Sequence, residues 1–247
     1  MANTKRKLSK AAEARIAGYE AKSTLVEGRK SVRRKDNIFS VAVILGALVV
    51  AISAQLVYFN LGPGVPKPTP KPVTAPNASV AENRVWTGSM TVAGKPIDFE
   101  LYGDKAPKAV ANFVTLAKKG YFDTTGCHRL TTSGIFVLQC GDPKGDGTGG
   151  PGYQFGPVEN APADNVYGPG ILAMARQSNG ANTMGSQFFI VYGSSFIPSD
   201  SAGGYTVIGK VTNNLNSIRD LAKLGTADGS TDGKPRNPIQ LSAVTVK

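Results

Sequence analysis

Ile38 to Phe59 is a run of 22 residues without a charged side chain, and it divides the chain into parts that cannot share one water-soluble core. As a helix rising ~1.5 Å per residue it matches the ~30 Å hydrocarbon core of a bilayer. Ser40, Ser53 and Gln55 are tolerable inside such a span. The basic segment Arg29-Lys30-Ser31-Val32-Arg33-Arg34-Lys35 directly precedes it. The positive-inside rule then predicts a cytoplasmic N-terminus, with everything after Phe59 extracytoplasmic. The expected organisation is a basic cytoplasmic tail over 1–37, a transmembrane helix over 38–59, a Pro-rich linker over 60–80 and a folded domain over 81–247. That is a single-pass protein of the cell membrane. A buried core helix would carry a polar stripe, which this run lacks. A cleaved signal peptide would find small residues around Ala51–Ala54, but the 37 residues before the run are long for one. An uncleaved anchor is the reading carried forward.

The net charge of +11 invites a nucleic-acid reading, so its distribution matters. Residues 1–37 hold 11 Lys/Arg against 4 Asp/Glu, while residues 81–247 hold 15 against 13. The charge belongs mostly to the tail, which reads as a solvated, partly helical segment lying against anionic lipid. The domain is close to neutral and lacks the basic patch that phosphate contact requires, so no nucleic-acid partner is expected. Gly62 to Pro76 is rich in Pro and favours extended polyproline II, a spacer without a core.

The rest reads as one strand-rich domain. Trp86–Val92 and Pro96–Tyr102 alternate around Ala93-Gly94-Lys95, a hairpin signal. Further strands are predicted at His128–Thr132, Ile135–Cys140, Ile171–Ala175, Gln187–Tyr192, Tyr205–Val211 and Ile239–Val246. Pro107 opens a helix whose apolar face holds Val110, Phe113, Val114 and Ala117, and Gly120 closes it. A second helix is predicted from Asn214 to Leu224. The Gly/Pro-rich stretch 141–170 reads as an ordered, irregular loop. Eight or so strands and two helices suggest a closed barrel, although pattern alone does not separate it from a sandwich.

Two cysteines, Cys127 and Cys140, lack zinc-site spacing, so no metal or other cofactor is expected. The single histidine, His128, would have to serve any Ser-His-Asp or Cys-His site, and strand alternation would turn its neighbours Cys127 and Arg129 to the opposite face. What remains is Arg129, then Gln139 ten residues later, then Gly185-Ser186-Gln187-Phe188-Phe189-Ile190. One fixed cation, two amides and several aromatics suit a site that binds a peptide and changes its shape rather than cutting it.

These residues resemble the cyclophilin-type peptidyl-prolyl isomerases over about 85–247. The shared runs are Ala111-Asn112-Phe113, His128-Arg129-Leu130, Phe136 to Gln139, Gly141-Asp142 leading to Gly147-Thr148-Gly149-Gly150, Gly168 to Ala175, Gly185 to Ile190, and Gly209-Lys210-Val211. One such fragment would be weak; this many in the same order are specific. The resemblance implies a closed eight-stranded antiparallel barrel capped by two helices, here behind one transmembrane helix, and rotation about X–Pro bonds in proline-containing polypeptides. It implies Arg129 and Gln139 as catalytic residues. Phe136, Val137, Phe189 and Ile197 would line a pocket for the proline ring. Ala175 and Arg176, through their backbone, would hold the peptide with the Gln187 side chain. Phe196 and Tyr205 would stand at the pocket edge.

Several positions depart from the commonest family pattern. Val137 stands where methionine is usual, Arg176 where asparagine is frequent, and Tyr205 where histidine is common. Phe196 stands where a tryptophan often contributes to cyclosporin binding, so weaker drug affinity is expected. Cys127 and Cys140 end two presumed hairpin strands; a disulfide and two separate thiols both remain open. A monomer is expected. The rival classes are a proline-peptide binding module with little turnover and a structural surface domain. Joint retention of Arg129, Phe136 and Gln139 favours the enzyme, because binding alone needs no arginine aimed at a prolyl nitrogen.

Overall fold

The computed structural model describes residues 10–63 and 73–247, and of Ser31 the backbone alone. They fall into two compact units, one on either side of Lys71–Pro72. The first is a single helix, α1 (Lys10–Asn60), of 51 residues. It takes in most of the expected tail as well as the apolar run. Ala, Lys, Arg and Glu make up 16 of the 28 residues 10–37, where no proline interrupts them, so propensity carries the helix upstream without an apolar face. α1 is long and apolar enough to cross a membrane by length and composition. Most of the expected polyproline stretch lies outside the described residues.

The second unit gathers its core from Ala75 onward. Residues Ala78–Ala81 form a 3-10 turn begun by Asn77, whose side chain accepts from the Ser79 N–H. Ala81 is fully buried, and its carbonyl accepts the Trp86 indole N–H at 2.9 Å. Ordered packing therefore begins before residue 81, the expected boundary.

The strands follow in order: β1 (Val85–Val92), β2 (Lys95–Tyr102), β3 (Gly126–Thr131), β4 (Val137–Asp142), β5 (Val166–Tyr167), β6 (Ile171–Met174), β7 (Phe188–Val191), β8 (Ser195–Phe196), β9 (Val207–Asn213), β10 (Asp232–Gly233) and β11 (Ile239–Val246). Hydrogen bonding runs β3-β11-β1-β2-β9-β6-β7-β4, and β4 pairs back onto β3. That closes an eight-stranded antiparallel barrel, as expected. The short β10 adds to β3, and β5 pairs with β8 as a separate ribbon. The three two-residue strands were not predicted; so few residues carry no readable alternation.

Helix α2 (Pro107–Lys118) starts on its proline, and the carboxylate of Glu159 accepts the exposed N–H groups of Lys108 and Ala109 at 3.0–3.2 Å. Its Phe113 stacks on Phe122 and meets the edges of Phe99 and Phe188. Helix α3 (Leu215–Lys223) joins the same core through Ile218 and Ala222.

Alternation along the strands builds two apolar clusters. Leu138, Cys140, Leu172, Met174, Phe188 and Ile190 belong to the main core. Their neighbours Val137, Ala173, Phe189 and Val191 form a second cluster with Tyr167, Ile197 and Val207. Because β7 is apolar on both faces, it can serve the core and also floor a cleft.

Candidate active site

The cleft on this second cluster has a volume of about 650 Å³ and is lined by Arg129, Val137, Gln139, Ala175, Arg176, Phe189, Ile197 and Tyr205, among others. Eight of the sequence-expected residues thus come together.

Arg129 reaches the cleft through an irregularity of the barrel. Cys127 pairs with Cys140 and Arg129 with Gln139, so two steps on β3 oppose one step on β4. His128 is the extra residue of a β-bulge, a device that re-aims a side chain. Regular alternation would put Cys127 and Arg129 on one face with His128 opposite. Instead Cys127 and Leu130 enter the core, while His128 and Arg129 both face the cleft. This corrects the strand reading, and nothing in the local residues announces a bulge.

From Arg129 a chain of hydrogen bonds crosses the site. Its Nε and Nη2 donate to Asp232 Oδ1 and Oδ2, both at 2.7 Å. Its Nη1 donates to Gln139 Oε1 at 3.2 Å. Gln139 Nε2 donates to Gln187 Oε1 at 2.9 Å, and Gln187 Nε2 donates to the Gly147 and Gly149 carbonyls at 2.9 Å. The loop bearing those glycines is held by Asp142, whose carboxylate accepts from Lys144, Asp146 and Gly147 N–H groups. Burial pushes the Asp142 pKa up, but the backbone donors outweigh it and the net direction is down. The hydrogen bond to Asp232 raises the Arg129 pKa further above its already high value, against the opposing effect of burial, and lowers that of Asp232.

The opposite wall rests on Arg176. Its guanidinium donates Nε to Gly204 O at 3.0 Å, Nη1 to Gln177 O at 3.0 Å and Asp200 Oδ2 at 2.8 Å, and Nη2 to Asp200 Oδ1 at 2.8 Å and to Gly203 O. It lies 4.7 Å from the centre of the Tyr205 ring, which meets Phe189 edge-on at 5.6 Å. The side chain expected to be a bystander to a backbone contact is the tie that holds this wall.

Two expected wall residues are placed elsewhere. The Phe136 ring turns from the cleft to meet Tyr192 at 5.9 Å, because Ile135 and Val137 take the cleft side. Phe196 lies on the β5–β8 ribbon, 59% exposed and outside the lining, while its neighbour Ser195 is buried. Gln187 sits in an adjoining cleft of about 690 Å³ that shares Gln139, Gly147, Ala175 and Arg176 with the first. His128 lines the first cleft with a buried Nδ1 that has no hydrogen-bond partner, and burial lowers its pKa. Asp232 was missed altogether. It is 103 residues from Arg129, in a Gly/Ser/Asp-rich stretch that reads as a plain loop. Cys127 and Cys140 are joined as a disulfide beside the Arg129–Gln139 pair. No cluster of three or more potential metal ligands occurs among the described residues.

The family model for cyclophilin type peptidyl-prolyl cis-trans isomerases matches residues 87–246. The chain belongs to this family. It is 41% identical over 205 residues to a probable peptidyl-prolyl cis-trans isomerase B of Mycobacterium tuberculosis, covering 75% of this chain and 64% of that protein. It is 42% identical over 130 residues to peptidyl-prolyl cis-trans isomerase B of Bacillus subtilis, covering 52% of this chain and 85% of the relative. Among solved structures, the cyclophilin type isomerase of Cryptosporidium parvum in the presence of the dipeptide Ala-Pro aligns with a TM-score of 0.54 at 30% identity, over 65% of this chain and 98% of that one. The chain thus spans about two thirds of the mycobacterial relative it matches, and its barrel is the cyclophilin barrel.

Proposed function

We propose that the domain after the linker is a peptidyl-prolyl cis-trans isomerase, held at a membrane by α1 and acting on extracytoplasmic or newly exported polypeptides. The observation that carries the reading is an arginine held by three hydrogen bonds at the edge of a cleft with an apolar floor of Val137, Phe189 and Ile197.

Rotation about an X–Pro bond must break amide resonance, a barrier of ~18–20 kcal/mol. In the twisted state the prolyl nitrogen becomes pyramidal and regains a lone pair. A donor aimed at that nitrogen binds the twisted state better than either planar state, which is the condition for catalysis. Arg129 is the donor: always protonated, with two guanidinium hydrogens not engaged by Asp232 or Gln139. Val137, Phe189 and Ile197 floor the cleft for the proline ring. Ala175 donates its N–H to Gln187 O at 2.9 Å and lines the cleft where an extended peptide would lie. The dipeptide Ala-Pro in the Cryptosporidium structure supports proline peptides as substrates.

Full-length chain in detergent micelles should accelerate cis-to-trans conversion of a short X–Pro peptide. Binding of that peptide without acceleration would replace the enzyme by a binding module. In intact cells, protease added outside should remove the C-terminal domain and spare an N-terminal tag. A domain reached only after lysis would overturn the extracytoplasmic placement.

A further inference from the structure

Arg129 and Asp232 form a two-pronged pair, with both prongs at 2.7 Å, yet the side chains are 39% and 52% exposed. An ion pair this open to water adds little to folding stability. Its geometry, however, is the planar fork that fixes a guanidinium in orientation. The carboxylate is held by its backbone as well. β10 pairs Asp232 with Thr131 and Gly233 with Leu130, directly beside Arg129. The loop around it is braced by Ala227 N–H to Lys234 O at 2.8 Å, Arg236 N–H to Gly225 O at 2.9 Å, Thr132 N–H to Thr231 O at 2.8 Å, and Ser230 Oγ to Asp232 O at 3.0 Å.

The donors can be counted. A guanidinium has five N–H bonds. Asp232 takes the one on Nε and one on Nη2, and Gln139 takes one on Nη1. One hydrogen remains on each terminal nitrogen. Asp232 and Gln139 thus hold the arginine from two sides without using up the end that must meet a substrate. Without Asp232, a flexible side chain would be tethered by a single amide contact of 3.2 Å.

We propose that Asp232 is a positioning residue for Arg129, holding the guanidinium in the orientation that the twisted X–Pro bond requires. This rests on the isomerase reading above. It deepens that reading by assigning a role to the β10 loop.

The test uses full-length chain in micelles, with kcat and KM separated for an X–Pro peptide. Asp232→Asn should lower kcat about tenfold and leave KM within about twofold, since misorientation of a catalytic group acts on the transition state. Asp232→Glu, which keeps the carboxylate, should recover a substantial part. Unchanged kcat in the Asn variant overturns the proposal. So does a rise in kcat, which would make Asp232 a restraint, or a rise in KM alone, which would make it a substrate contact. If the Asn variant does not fold, NMR of the parent decides: the Arg129 Nε–H should exchange slowly with water, and exchange as fast as in a free arginine overturns the proposal. An inactive parent strikes the isomerase reading itself, whereas an active parent with an unaffected Asn variant strikes only the role of Asp232.

Discussion

Two arginines line the same cleft, and each forks onto an aspartate, Arg129 onto Asp232 and Arg176 onto Asp200. The Arg176 side chain is 1% exposed and uses all five of its N–H bonds inside the protein. The Arg129 side chain is 39% exposed and commits three. A saturated guanidinium has nothing left to offer a ligand and serves to hold the wall. An unsaturated one, steadied from two sides, keeps two donors free for a ligand. The difference lies in neighbouring backbone: Arg176 is surrounded by the carbonyls of Gln177, Gly203 and Gly204, whereas Arg129 stands beside a side-chain amide and open cleft.

The sharpest way to break this comparison is to remove each arginine. Arg129→Ala should cost about 10²–10³ in kcat/KM, the range found when one preorganised donor to a transition state is deleted. Its thermal midpoint should hardly move, because an exposed pair contributes little. Arg176→Ala should do the reverse, lowering unfolding stability by on the order of 3 kcal/mol in a denaturant titration, since several buried acceptors lose their donor together. Arg176→Lys should not rescue it, because an ammonium cannot span five acceptors. Equal loss of activity and stability in both variants would dissolve the distinction.

Acid sharpens the same contrast. The hydrogen bond from Arg176, helped by the Asn179 N–H, holds the Asp200 carboxyl far below its ordinary value. A carboxylate depressed in the folded state contributes stability above its unfolded pKa, ~3.9, and loses that contribution as pH falls through the folded value. Unfolding midpoints measured downward from pH 5 should therefore fall less steeply in Arg176→Ala than in the parent. Identical acid slopes would show that the Arg176–Asp200 pair is not the source.

The two walls also differ in how far they could be read from the chain. The eight barrel strands, both domain helices, and the pairing of Arg129 with Gln139 were legible because alternation, a Pro-started helix and a ten-residue spacing are local signals. Phe136 and Phe196 were misplaced because a family position was carried across loops that here turn Ile135 inward and set Phe196 on an exposed ribbon. The bulge at His128, the five-fold engagement of Arg176 and the arrival of Asp232 are tertiary events. Each depends on which backbone comes alongside, and no spacing in the sequence records it.

The disulfide is a smaller lever on the Arg129 wall. It joins β3 and β4 one register step from the Arg129–Gln139 pair. Replacing Cys127 and Cys140 together by serine should lower stability by about 2–3 kcal/mol, the scale for closing a short loop. Activity should fall far less than in Arg129→Ala, because the Asp232 and Gln139 bonds persist without it. Intact mass of the oxidised parent should be two hydrogens below the reduced chain. A mass without that loss would mean that the register, rather than a covalent bond, holds the wall.

The smallest expected effect is at His128, and it asks whether Arg129 works without a titrating partner. Burial outweighs the attraction of Asp142 and lowers the His128 pKa. The lowered pKa favours the neutral ring over the imidazolium across the neutral range, compared with an ordinary histidine. Arg129 is protonated throughout that range. The kcat/KM profile should then be flat from about pH 6.5 to 9, and His128→Gln should keep it flat while changing its height by less than about threefold, the modest scale of a substitution beside rather than at the reacting bond. A bell-shaped profile that His128→Gln abolishes would make the histidine a proton donor or acceptor. The bulge would then have been built to present two catalytic groups rather than to turn one arginine outward.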